Sequence, residues 1–382
     1  MTAIRFIHTS DVHLDTSFSA SGFPSRLGDR KREAIRGTFR RILEDARREA
    51  VDFVAIAGDL YEHDRVTPDT IEFLKQQFEN LGSIPVFIAP GNHDPYLQGS
   101  PYCEESWPRN VHIFHTEEFR SIELPHVGVR LTGFGFNRTQ LADRIFRQLP
   151  VLPGGAWNVV LAHGSDTGGI PPGKPAHAPF AIGDIAGKNV LYCALGHYHQ
   201  QRQVANPTDG SQAWYCGIPE GRSWDEEGTR GYLMCEIDGL GALTVRSCPS
   251  NQYPLATITL DCEGLASREQ IVEAILKRRG SAFDAQTILR VCLEGSPDPT
   301  LDMSTAEIEE RLAGEVLHIA WEDRTLPAID FESLAKERTL CGYFARSLNQ
   351  QLGTAAEAER PVLERARLYG LQALLGREVR LL

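Results

Sequence analysis

Five short polar clusters in this 382-residue chain carry residue types that bind metal ions: Asp11-Val12-His13, Gly58-Asp59, Gly91-Asn92-His93-Asp94, His163, and Gly196-His197-Tyr198-His199. Imidazole favours transition metals and oxygen donors admit harder ions, so the set suits borderline divalent ions such as manganese, iron or zinc, and magnesium alone would not need this many imidazoles. Asp11, His13, Asp59, Asn92, His163, His197 and His199 are too many ligands for one ion. Two divalent ions sharing a carboxylate fit, and such pairs, roughly 3.5–4 Å apart, serve hydrolases of phosphate esters. With Asp11, Asp59 and a bridging hydroxide as the anions, the site stays net positive and attracts a phosphodiester. The metal-bridging hydroxide is then expected to attack phosphorus in line. His93, beside Asn92, is expected to contact the transition state or protonate the leaving oxygen, with Asp94 orienting its ring.

Taken singly, D-x-H or H-x-H is a weak signal, since a strand-end Asp is more often a cap or turn residue. Placement strengthens it. The clusters follow the apolar runs IRFIHTS, VDFVAIA, IPVFIAP, NVVLA and VLYCAL, which read as strands. Ligands gather at the carboxyl edge of such sheets, where loops converge on a rigid support. Gly58, Gly91, Gly164 and Gly196 are expected to permit the tight turns there. His8, His112, His115, His126, His177 and His318 lack this company and read as surface or packing residues.

The intervening elements are helices expected over residues 30–50, 68–81 and 139–148, with closely spaced strands after 190. The segment 249–255 reads as a linker. Beyond it lies a small α+β module, in which Ser304 and Glu307 could form a capping box. The tail from 330 reads as two helices separated near Gly353. Val362, Leu363, Ala366, Leu371, Leu374 and Leu375 give the second an apolar face for its own domain or for a partner. The domains are thus 1–250, catalytic; 251–328, a small capping module; and 329–382, a helical segment suited to partner docking.

With 42% hydrophobic and 24% charged residues, general disorder and a membrane class are excluded. The N-terminal residues lack the apolar stretch of a signal peptide, and eight scattered cysteines without a C-x-x-C pair suit free buried thiols. Both point to the cytoplasm. A net charge of −12 opposes a free-standing nucleic-acid binder, so polyanion affinity would need local patches, bound metal or a partner. The segment RLGDRKREAIRGTFRRILEDARREA carries nine basic against five acidic residues, and reads as a solvated helix face or a phosphate-tracking surface.

The series D-x-H, GD, GNHD, lone His and GHxH resembles the calcineurin-like metallophosphoesterase superfamily over roughly residues 4–200. That resemblance implies a four-layer αββα sandwich. It places Asp11, His13, Asp59 and His199 around one metal and Asp59, Asn92, His163 and His197 around the other, with Asp59 as the bridge. DVHLDTSF, GDLYEHDRVTP, YCGIPEGRSWDEEGTRGYLMCEI and ILRVCLEG are similar to the DNA-repair exonuclease (SbcD-type subunit) branch. This implies a manganese-dependent DNA exonuclease or endonuclease subunit, an SMC-like coiled-coil ATPase partner and dimerisation, with no membrane. The chain departs from the archaeal and eukaryotic double-strand-break nucleases, which carry His three residues after the bridging Asp. Here Glu62 stands there, with His63 beside it, so their roles stay open. The Asp-Arg-Gly pattern of serine/threonine phosphatases does not follow Asp59. Two other readings stand beside the nuclease: a small-molecule phosphodiesterase or nucleotidase, and a metal-stabilised scaffold without catalysis.

Overall fold

The computed structural model describes all residues except 1–2, 20–21, 170–174, 205–209, 299–300, 302–303, 326–328, 377–378 and 380–382. The chain divides into two compact units, Met1–Leu255 and Ala256–Leu382.

In the first unit, strands β1 (Ile4–Thr9), β2 (Phe53–Ile56), β3 (Val86–Ile88) and β4 (Val111–Ile113) run parallel. Strands β5 (Arg120–Leu124), β6 (Val129–Gly133), β7 (Trp157–His163), β8 (Tyr192–Gly196), β9 (Arg202–Gln203) and β10 (Gln212–Tyr215) form a second sheet, in the order β5-β6-β7-β8-β10-β9. Its four central strands are parallel and its two edges antiparallel. Strands β11 (Gly231–Ile237) and β12 (Leu243–Pro249) return antiparallel to the first sheet, giving β12-β11-β1-β2-β3-β4.

The central strands are apolar on both faces because both are covered, and their period-2 alternation divides the core. Phe6, Phe53 and Phe87 meet Leu131, Val159, Leu161 and Tyr192 between the sheets. The Phe6 and Phe53 rings stack at 4.5 Å. The intervening residues Ile7, Val54, Ile56 and Ile88 face outward, onto α1 (Ser25–Arg48) and α2 (Pro68–Glu79). Helix α2 starts where expected, with Pro68 at the first helical position and the Thr67 hydroxyl accepting from the Thr70 N–H. A short helix, α3 (Pro101–Glu104), precedes β4. On the outer face of the second sheet, Val160, Ala162, Cys193 and Leu195 are covered by Phe134, Phe146, Leu149 and Phe180.

The result is the expected mixed α/β sandwich of four layers, but its fourth layer is irregular. The helix expected over 139–148 is only a 3-10 turn, Ile145–Gln148. The Leu141 carbonyl, which an α-helix would give to the Ile145 N–H, instead accepts from Ala178, and Ile145 donates to Asp143.

In the second unit, β13 (Leu255–Asp261), β14 (Ile288–Glu294) and β15 (His318–Asp323) form a sheet in that order. Helices α4 (Arg268–Leu276) and α5 (Thr305–Arg311) contribute Ile271, Ile275 and Ile308 to its core. The capping box forms at Ser267 and Gln270; at α5, Glu307 is turned to Arg268 instead. The tail holds α6 (Phe331–Lys336), α7 (Leu340–Thr354) and α8 (Arg360–Leu374). The first expected tail helix is divided, because the Thr339 side chain caps α7 at the Gly342 N–H and Arg346 binds the Ala335 and Glu337 carbonyls. Gly353 lies within α7 rather than between helices. Leu371 is buried, while Leu340, Tyr343, Val362, Leu374 and Leu375 are exposed. No helix among the described residues is long and apolar enough to cross a membrane.

Candidate metal centre

Register places the site. Thr9 pairs with Ile56 and Ile56 with Ile88, so three strands of the first sheet end level and release Asp11, Asp59 and Asn92 into adjacent turns. In the second sheet His163 pairs with Gly196, which sets His163 beside the turn carrying His197 and His199. The turns of the first sheet are bonded to one another: Asp11 N–H donates to the Gly58 carbonyl, His13 N–H to Asp59, and Leu14 N–H to Leu60. Asp11, His13, Asp59 and His197 all adopt left-handed backbone, at φ of 52°, 53°, 52° and 111°. L residues hold such conformations only where surroundings over-determine them, and they concentrate at functional sites.

The glycines work in two ways. Gly58 needs its positive φ of 80°. At Gly196 the requirement is space, because a Cβ there would collide with the Ala57 carbonyl at the seam of the two sheets.

The side chains converge at that seam. Asp11, His13 and His199 have donor atoms within 4.8 Å of one another, as do Asp11, Asp59 and His163. His13 Nε2 lies 3.3 Å from His199 Nε2 and 3.8 Å from Asp59 Oδ2, and His199 Nε2 lies 3.8 Å from Asp11 Oδ1. His163 Nε2 is 3.1 Å from Asn92 Oδ1 and 3.3 Å from Asp59 Oδ2. His197 stands apart from these groups: its backbone N–H donates to Asp11 and its ring lies 5.2 Å from that of His163. Asp11 and Asp59 are both buried, and buried carboxylates need cations or donors to offset lost hydration. Burial opposes charge on His163, yet Asp59 raises its pKa to about 9. Burial and Arg222 together lower His13 to about 4, leaving it a neutral imidazole. Carboxylates, an amide oxygen and imidazole nitrogens facing common points fit divalent transition ions.

Surrounding groups fix the rings. Glu62 accepts from Nδ1 of both His13, at 2.8 Å, and His93, at 2.7 Å. Glu226 accepts from His199 Nδ1 at 2.6 Å. With Nδ1 protonated, His13 and His199 present Nε2 lone pairs to the centre. His93 is half-exposed; burial opposes its charge, but the Glu62 hydrogen bond raises its pKa to about 9.

Asp94 differs from the expectation. It accepts from the Asp59, Leu60 and Gly91 N–H groups and the Tyr102 hydroxyl, so it braces turns from inside while Glu62 orients His93. Burial and the Asp59 charge push the Asp94 pKa up. Glu62, three residues after Asp59, bonds both rings itself, and the backbone N–H of its neighbour His63 donates to the His93 carbonyl. His177, expected to be a surface or packing residue, lines an open cleft of about 510 Å³ with Asp59, Asn92, His93, His197 and Tyr198. Glu226 and Arg222 escaped the sequence reading because no motif spacing marks them; the glycine-flanked segment GRSWDEEG was the only sign. The α1 arginines are largely engaged by the protein: Arg30 with Tyr253, Arg36 with Asp69 and Arg41 with the Ser250 carbonyl.

Residues 4–201 match the family described as calcineurin-like phosphoesterase. The chain is 27% identical over 330 residues to an uncharacterized metallophosphoesterase, YhaO, of Bacillus subtilis, covering 82% of this chain and 79% of that one. It is 24% identical over 369 residues to the DNA double-strand break repair protein Mre11 of Methanopyrus kandleri, covering 87% and 76%. A solved dimetal phosphatase from Danio rerio is similar at 12% identity and a TM-score of 0.44, over 65% of this chain and 96% of its own.

Proposed function

The chain belongs to the calcineurin-like phosphoesterase family, and from that premise we propose that it is a two-metal phosphodiesterase acting on DNA, of the DNA-repair exonuclease branch. The observation that carries the hydrolytic reading is the pair of buried carboxylates, Asp11 and Asp59, meeting the imidazoles of His13, His163 and His199 beside the half-exposed His93. The DNA reading is supported by likeness to a protein of double-strand break repair that extends well past the family match.

Asp11, His13, Asp59 and His199 would hold one ion, and Asp59, Asn92, His163 and His197 the other, with manganese the first candidate. Bound there, divalent ions supply Lewis acidity toward phosphoryl oxygens and bring the pKa of water toward neutrality. Glu62 and Glu226 hold the His13 and His199 rings in the tautomer that offers Nε2. His93, kept protonated by Glu62, can donate to a phosphoryl or leaving oxygen from the cleft wall. Asp94 keeps the Asp59 and Gly91 turns in place. The exposed apolar residues of α7 and α8 would suit docking of an ATPase partner.

A small-molecule phosphodiesterase or nucleotidase is the second reading, favoured by the net charge of −12 and by the engagement of the α1 arginines within the protein. End-labelled linear duplex DNA and an aryl phosphodiester, each incubated with the purified chain and Mn2+, separate the two. Nucleotide release from DNA is expected; hydrolysis of the aryl ester alone favours the second reading.

A further inference from the structure

The imidazoles of the centre are supported unequally. On one side, His13 leans on Glu62 and His199 on Glu226. On the other, His163 Nδ1 donates to the Ala57 carbonyl at 2.9 Å, and among the described residues no carboxylate hydrogen-bonds the His197 ring. Only the first side therefore depends on two carboxylates held in place while largely withdrawn from water.

Arg222 joins those two carboxylates. Its Nη1 lies 3.4 Å from Glu62 Oε1 and its Nη2 lies 3.3 Å from Glu226 Oε1, and its backbone N–H donates to Glu226 Oε2 at 2.5 Å. The side chain is only 17% exposed. A guanidinium is planar and always charged, so its two terminal nitrogens can each take one carboxylate at a fixed separation, whereas an ammonium offers both the same single nitrogen. Glu62 follows β2 of the first sheet, whereas His199 and Glu226 lie in loops after β8 and β10 of the second. The arginine thus ties the two halves of one metal position together.

We infer that Arg222 is a positioning residue for the ion held by His13 and His199, and that it has little bearing on the ion held by Asn92, His163 and His197. The inference rests on the two-metal reading. Without Arg222, Glu62 and Glu226 lose their common counter-charge and the two imidazoles lose their fixed orientation. Loss of such supporting groups typically costs about 10–100-fold in metal affinity.

The test titrates Mn2+ into the metal-stripped full chain by calorimetry, with electron paramagnetic resonance to count bound ions. In wild type, two ions bind. In Arg222→Met, one site should weaken about 10–100-fold while the other keeps its affinity, with a native circular-dichroism spectrum before metal is added. Arg222→Lys should recover only part of the loss; it carries the test should Arg222→Met not fold. Equal weakening of both sites, or affinities unchanged with only KM raised, overturns the inference and makes Arg222 a general structural or a substrate-contacting residue. A wild-type chain that binds no Mn2+ overturns the two-metal reading itself.

Discussion

The two six-stranded sheets of the first unit share a parallel centre but contribute differently to the site. The first delivers Asp11, Asp59 and Asn92 together with His13, from turns bonded to one another. The second delivers only imidazoles, His163, His197 and His199. Their outer coverings differ as well: a 24-residue and a 12-residue helix on one, 3-10 turns and loops on the other. A centre split this way forms only when both sheets are docked, so ligand binding reports on the seam.

The sharpest way to break this division is Asp59→Asn, since Asp59 faces groups from both sheets. Hydrolysis should fall below detection, and Mn2+ affinity should drop at both positions in calorimetry. His93→Ala should leave metal uptake intact and lower kcat by about 10²–10⁴, the usual worth of a general acid; unchanged kcat would remove His93 from the reaction.

The coverings can be compared by stability. Helix α1 is fixed by a buried pair, Lys31 Nζ to Glu220 Oε1 at 2.5 Å, and Glu220 also accepts from Thr38 and from the Gln252 and Tyr253 N–H groups. On the other face, Arg144 pairs with Asp184 with its side chain 36% exposed. Lys31→Met should cost about 3–5 kcal/mol in urea denaturation, because it strands a buried charge. Arg144→Ala should cost about 0–1 kcal/mol.

A pH-dependent effect probes the seam directly. His8 of the first sheet bonds the Tyr192 hydroxyl of the second at 2.8 Å, and burial lowers its pKa from 6.5 to about 3. The folded protein keeps His8 neutral while the unfolded chain protonates it. Its contribution is therefore fully present above pH 6.5 and is lost as pH falls from there toward 3. Between pH 6.5 and 5 this amounts to about 2 kcal/mol. His8→Gln should flatten the acid side of the stability profile by that amount, and an unchanged profile would refute the assignment.

The sequence made the first sheet and its helices legible because α1 and α2 carry continuous apolar faces and Pro68 marks a start. It misjudged residues 139–148 because a neighbouring loop takes the carbonyl that helix formation needs. The candidate ligands were legible from their positions after apolar runs. Their supports were not: Asp94 adjoins His93 in sequence yet points into the interior, while Glu62 reaches His93 from another turn. Glu226 and Arg222 acquire their positions only from the loop after β10. Local pattern identifies donors at strand ends; what orients them is decided by contacts between strands far apart in the chain.

The bonded turns beneath the site also bear on backbone amide exchange. The N–H groups of Asp11, His13 and Asp59 lie outside regular structure, yet each belongs to a buried residue and is already paired, to Gly58, Asp59 and Asp94 respectively. Exchange at such amides waits on opening of the whole seam rather than on local fraying. In deuterium these loop positions would outlast the amides of surface helices such as α8, so that slow exchange would mark the candidate metal centre as well as the strands.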